Sequence, residues 1–300
     1  MRKRMIRLWP GFRLVLLLGL YLLVCPSLQA GMPGDEAPEL QVREWIQGSP
    51  INLKAEPGKM IYVIEFWQTE CPHCLESLPY LSILREQYKK DGVVFIGITT
   101  EDTATVRAFL EKNKDAAYAL AVDDDDKTYA QFMGAFGVSG VPHAFVIGRQ
   151  GRILWEGHPM DDLDKVLQQV VAGQYDLADA QNVARARKLM SAYVYLSVET
   201  EEPDLARQVG ERMYAYGKNN PALLEKLVRF ILTNENIRQP DLQLAARLAK
   251  RACEVTGETD RAVLELAAIV LHRMGAEEEA LAYWAKAKRL DSEKSVGAQP

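Results

Sequence analysis

Met60-Ile61-Tyr62-Val63-Ile64-Glu65-Phe66-Trp67-Gln68-Thr69-Glu70-Cys71-Pro72-His73-Cys74 is the stretch that decides the fold. From Met60 to Trp67 it is apolar or aromatic apart from Glu65, and such a run reads as a buried strand. From Cys71 to Gln87 it reads as a helix, with Leu75, Leu78, Leu81 and Leu84 at three-residue steps. Pro72 suits the first turn, where its missing N–H would find no partner. The cysteine pair therefore stands where a strand hands over to a helix.

Outward from that point, strand and helix signals alternate. Val93 to Ile98 predicts a second strand, Thr103 to Asn113 a helix, Tyr118 to Val122 a short strand and Thr128 to Phe136 another helix. Ala144 to Ile147 and Arg152 to Trp155 flank Gly148-Arg149-Gln150-Gly151, a hairpin signal, and Asp162 to Val171 closes with a helix. This order predicts an α/β layered domain with a mixed sheet flanked by helices. After Gly173 the strand signals stop and Ala, Leu, Glu, Arg and Lys dominate. Stretches beginning at Asp204, Asp241 and Glu277 look alike: Ala206, Ala245 and Ala280 align at steps of 39 and 35 residues, and Ala252 and Ala287 keep the second step. A period near 34 suits tetratricopeptide-like helix pairs, and an irregular helical bundle is the alternative. The expected organisation is a leader over 1–30, an α/β domain over 31–172 and an all-α domain over 173–300.

Cys71-Pro72-His73-Cys74 reads as a dithiol redox site. Zinc would lack ligands, because the other cysteine after the leader is Cys253, alone in the helical half. A thiol at a helix start faces unpaired N–H groups and the positive end of the helix dipole, which favour its thiolate. Cys71 is then the attacking sulfur, forming a mixed disulfide with a partner, and Cys74, more buried, resolves it. A protonated His73 would add positive charge beside that thiolate and make the disulfide more oxidising, while Glu70 pushes the other way. Glu65, a carboxyl inside an apolar strand, is the candidate proton acceptor for Cys74; an edge-strand surface position is its bland reading. No bound cofactor and no metal is needed, since the electrons reside in the sulfurs.

The run from Glu65 to Cys74, with Pro79 beyond it, resembles the thioredoxin superfamily. Gly34-Asp35-Glu36-Ala37-Pro38-Glu39-Leu40, Gly137-Val138-Ser139-Gly140-Val141-Pro142-His143-Ala144-Phe145-Val146-Ile147 and Trp155-Glu156-Gly157-His158-Pro159 are similar to its secreted redoxin branch, the TlpA-like disulfide reductases. The likeness covers about Gly31 to Tyr175. It implies a cis Val141–Pro142 bond facing the disulfide and a substrate segment pairing with the backbone there. It also implies exchange with protein thiols and disulfides, supplied by a membrane or soluble redox partner. His73 departs from the pattern, since such reductases more often carry Pro or Gly there. It is shared with disulfide-donating oxidases of the same superfamily, so a reductase is the first reading and an oxidase the alternative. A peroxidase does not fit, because Thr69 lies two places before Cys71 and the expected proline is missing.

The full chain of 300 residues is 48% hydrophobic and 26% charged, a globular composition that excludes collagen-like, disulfide-framework and wholly disordered classes. Its formal charge is −5, yet residues 1–30 hold Arg2, Lys3, Arg4, Arg7 and Arg13 and no acid, so the remainder is near −10. So acidic a chain gives no electrostatic reason to bind nucleic acid or an anionic membrane surface. Those five cations, the apolar run from Leu14 to Val24 and Leu28-Gln29-Ala30 form a secretory signal, which places the chain outside the cytoplasm, in the periplasm or cell envelope. Retention as an anchor, or lipidation at Cys25, stays open. The helical half is expected to hold a client or redox partner on stacked helix pairs; a pure interaction scaffold is the alternative from another class.

Among the remaining signals, Asp123-Asp124-Asp125-Asp126 lacks the spacing of a calcium loop and reads as an exposed turn starting the next helix. His143 could approach the cysteines or point into solvent. His158 and His272 read as structural, the latter among core-like residues, and Cys253 as a small buried apolar residue.

Overall fold

The computed structural model describes residues 31–56, 58–198, 203–237 and 239–296, so the expected signal over 1–30, with Cys25, lies outside the described residues. The chain divides into two compact units between Tyr175 and Asp176.

The first unit is a six-stranded mixed sheet. Its strands are β1 (Val42–Gln47), β2 (Ile61–Phe66), β3 (Val93–Thr99), β4 (Ala119–Asp123), β5 (His143–Ile147) and β6 (Ile153–Gly157), in the spatial order β1-β4-β3-β2-β5-β6. β2, β3 and β4 run parallel, while β1, β5 and β6 add antiparallel neighbours. The helices are α1 (Pro72–Tyr88), α2 (Thr103–Lys112), α3 (Lys127–Tyr129) and α4 (Leu163–Val171). α3 continues as a π-helical turn over Ala130–Gly134, which lies inside the single helix expected from Thr128 to Phe136.

β2 is central and buried at every position, which is why its sequence is an almost unbroken apolar run. Alternate residues supply two cores. Ile61, Val63 and Trp67 pack with Leu78, Leu81 and Leu84 of α1 and Leu163 and Leu167 of α4. Tyr62, Ile64 and Phe66 pack on the other face with Phe132, Met133, Phe145 and Ile153.

β1 was not expected, and its register explains why. Shifts between Val42 and Glu44 and again between Trp45 and Gln47 break the two-residue alternation that marks a strand in sequence. Of the acidic run, Asp124, Asp125 and Asp126 form the turn that leads into α3, as expected, while Asp123 departs from it. Asp123 is buried at the end of β4, and its carboxylate accepts from the backbone N–H groups of Thr128 (2.9 Å) and Tyr129 (2.7 Å), so it starts α3 from inside the fold.

The second unit is helical: α5 (Leu177–Val198), α6 (Pro203–Gly217), α7 (Pro221–Thr233), α8 (Leu242–Val255), α9 (Arg261–Arg273) and α10 (Glu277–Val296). α5 packs on α6, α7 on α8, and α9 on both α8 and α10. Asn220, Asp241 and Asp260 cap α7, α8 and α9 through their side-chain oxygens. The stretches from Asp204, Asp241 and Glu277 fall at the starts of α6, α8 and α10, and Ala245, Ala252, Ala280 and Ala287 are buried. Cys253 lies in this core, where burial pushes its thiol up to about 11. His272 is not a core residue: its side chain is exposed at the end of α9, where Nδ1 lies 2.9 Å from Glu277 Oε1.

Candidate active site

The end of β2 and the start of α1 place the two sulfurs. The connecting loop is pinned by Glu101, whose carboxylate accepts from the Thr69 N–H (2.8 Å) and the Thr69 hydroxyl (2.7 Å). Cys71 is the N-cap of α1, and its Sγ accepts from the Cys74 N–H at 3.2 Å. That donor is aimed where a Cys71 thiolate would sit in the reduced protein. Cys71 and Cys74 form a disulfide, with a Cα–Cα distance of 5.2 Å. Cys71 is partly exposed and Cys74 is 0% exposed, so the two sulfurs differ in access.

The Val141–Pro142 bond is cis, and the Val141 carbonyl oxygen lies 3.5 Å from Cys71 Sγ, which brings this segment to the disulfide as the family resemblance implies. His143 next in line does not point into solvent, its side chain being only 12% exposed. Its Nε2 sits 2.8 Å from Glu156 Oε2 and its ring packs on Phe145 at 5.3 Å. His73 points into water, its side chain 74% exposed, with Nδ1 3.3 Å from Glu76 Oε2. His158 accepts from the Met160 N–H within its turn.

Glu65 is not on an edge strand. It is 1% exposed in the central β2, opposite Gly97 of β3 and Ala144 of β5. Burial raises its carboxyl to about 7, against the downward pull of two hydrogen bonds. Ser77 Oγ donates to Oε1 at 2.6 Å and Tyr118 Oη donates to Oε2 at 2.7 Å. Ser77 Oγ also lies 2.9 Å from the Cys74 carbonyl oxygen, so one hydroxyl links the carboxyl to the backbone of Cys74.

Neither Ser77 nor Tyr118 is visible in the sequence as a site residue. Ser77 reads as an ordinary helix position and Tyr118 as the start of a strand. Gly97 is the one available signal, a glycine inside a strand. A Cβ there would stand 2.6 Å from Leu120 Cδ2, 3.1 Å from Trp67 Nε1 and 3.2 Å from the Tyr118 ring, so its bare backbone is what admits both aromatic rings. Trp67 Nε1 is the one buried side-chain polar atom without a hydrogen-bond partner among the described residues.

Residues 32–170 match the Redoxin family. Thiol-disulfide oxidoreductase ResA of Bacillus cereus is 30% identical over 121 residues, which cover 40% of this chain and 66% of that protein. The chain thus spans a little under two thirds of that relative. Protein FixW of Rhizobium leguminosarum is 27% identical over 179 residues, covering 57% of this chain and 78% of its own. Among solved structures, a thioredoxin-family thiol:disulfide interchange protein from Chlorobium tepidum is 21% identical, with a TM-score of 0.40, and covers 47% of this chain and 99% of its own. With its mixed sheet, its helix-capping disulfide and the cis proline beside it, the first unit is the part of the chain that matches the Redoxin family and is similar to the thiol-disulfide oxidoreductase ResA.

Proposed function

We propose that the protein works outside the cytoplasm as a reductase of protein disulfides. The observation that carries the chemistry is the pairing of an accessible sulfur at a helix N-cap with a buried one linked to a buried carboxyl. In the reducing direction, the Cys71 thiolate attacks one sulfur of a substrate disulfide and the other substrate sulfur leaves as a thiolate. Glu65 accepts the proton of Cys74. The Cys74 sulfur then bonds to Cys71 Sγ, and the Cys71–substrate bond breaks to release the second substrate thiolate. Two electrons pass from the protein dithiol to the substrate disulfide, and no cofactor takes part. The Val141–Pro142 segment, against Cys71, holds the extended substrate backbone.

The reducing direction is favoured by His73. Its imidazole stands in water beside Glu76 and is turned to solvent rather than held against the Cys71 sulfur as a dedicated partner. Location outside the cytoplasm rests on the signal-like residues 1–30; among the described residues no helix is long and apolar enough to cross a membrane. The helical unit is assigned to partner binding, as tetratricopeptide-like helix pairs with small residues at recurring places.

Equilibration with a glutathione buffer, followed by alkylation and mass measurement, tests the direction. The expected potential lies near that of thioredoxin, about −270 mV, and a value near about −120 mV would make the oxidase reading the correct one.

A further inference from the structure

We propose that the Ser77 hydroxyl is a two-position hydrogen-bond switch. It turns between Glu65 and the carbonyl of Cys74, coupling the proton on Glu65 to the first turn of α1 and setting the pH at which the resolving step begins. The inference rests on the reading of Glu65 as the proton acceptor for Cys74, and makes Ser77 a positioning residue.

A serine hydroxyl has one hydrogen and two acceptor lone pairs. Ser77 Oγ stands 2.6 Å from Glu65 Oε1 and 2.9 Å from the Cys74 carbonyl oxygen. With Glu65 ionised, both neighbours only accept, and they compete for one hydrogen. A charge-assisted bond to a carboxylate is about twice as strong as a neutral one, so the hydroxyl points at Glu65. With Glu65 protonated the direction reverses. Oε1–H donates to Ser77 Oγ, and the Ser77 hydrogen is free to turn to the Cys74 carbonyl. Protonation at Oε1 is the better choice, because Tyr118 Oη continues to donate to Oε2 at 2.7 Å in both states.

The surroundings allow this switch to act alone. The Glu65 carboxyl is held by Ser77 on α1 and Tyr118 ahead of β4, its register partners Gly97 on β3 and Ala144 on β5 carry no titratable side chain, and Cys74 on α1 joins through its carbonyl at Ser77. Among the described residues, burial, Ser77 and Tyr118 are what act on the Glu65 carboxyl. Ser77 is 0% exposed and Tyr118 3%, so water does not compete from bulk solvent. In turnover the proton leaving Cys74 Sγ arrives on Glu65 and the Ser77 hydrogen swings to the carbonyl of that same cysteine. The Cys74–Cys71 bond forms as the Cys71–partner bond breaks, so the switch reports the proton transfer to the backbone that carries the resolving sulfur.

The test uses the full-length disulfide form, in which neither cysteine carries a titrating proton. Carbon-13 resonances of the Glu65 carboxyl and the Cys74 carbonyl are followed against pH in wild type, Ser77→Ala, Ser77→Thr and Glu65→Gln. In wild type the two carbons should titrate with one shared midpoint. Ser77→Ala should remove the Cys74 response and raise the Glu65 midpoint by about one pH unit, while Ser77→Thr restores both. A Cys74 carbonyl that ignores the Glu65 titration in wild type, or that still follows it in Ser77→Ala, overturns the proposal. The second readout is release of thionitrobenzoate from its mixed disulfide with Cys71. Its pH midpoint should rise by the same amount in Ser77→Ala. If Glu65→Gln leaves that profile unchanged, the reading of Glu65 as base fails, which is distinct from a failure of the switch.

Discussion

A Cys74→Ser variant is expected to accumulate stable mixed disulfides with cysteine-containing proteins, joined through Cys71 and released by reductant. Turnover in an insulin-reduction assay should fall by roughly 10³-fold or more, because the resolving nucleophile is lost while the attacking one remains. Cys71 keeps its place at the N-cap of α1 in this variant, and the backbone N–H of residue 74 still points at its sulfur. Nonreducing electrophoresis and peptide mass mapping identify the linked sulfur. Adducts on Cys71 support the exchange mechanism. Should none form, while partner binding survives loss of both cysteines, the scaffold reading of the helical unit takes its place.

Glu65→Gln is expected to change stability and rate in opposite directions. In the folded chain Glu65 holds its proton up to about 7, against an ordinary value of 4.5. Within that window the folded state binds more protons than the unfolded state. Stability therefore falls as pH rises from 4.5 through 7, and the loss is complete above 7. The shift corresponds to a loss of order 3 kcal/mol, since one pH unit is about 1.4 kcal/mol. Glutamine fills the same space without the charge. The variant should match wild type near pH 4 and exceed it by a few kcal/mol at about pH 8.5, as read from urea midpoints. At the same alkaline pH its resolving step should be about 10²-fold slower, the usual worth of a positioned base. Equal stability curves for the two proteins would show that the carboxyl is hydrated in the folded state.

The parts of this architecture that could be read from sequence are those whose causes are local. β2 declares itself because burial on both faces demands apolar residues throughout, and α1 because Pro72 marks its start and Leu78, Leu81 and Leu84 its inner face, while Leu75 stays exposed. The hairpin of β5 and β6 follows from Gly148 and Gly151, the latter at φ +71°. What stayed hidden depends on contacts far apart in the chain. Tyr118 meets Glu65 across 53 residues only because parallel pairing sets β4 beside β3 and Gly97 leaves room for its ring. β1 is concealed by two register shifts against β4. His272 belongs to an apolar stretch of α9, yet sits at its polar end, where Glu277 draws it outward. Glu65 was legible as a candidate because a carboxylate in an apolar strand is costly, but its partners were not.

The unequal access of the two sulfurs also governs how the protein meets small oxidants. A peroxide arriving from solvent finds Cys71 and not Cys74. The sulfenic acid formed there faces a thiol from the protein's own interior, and condensation of the two yields the disulfide and water before a second oxygen can add. Damage that would be permanent at an isolated cysteine thus ends, here, in a bond that ordinary reductants reopen.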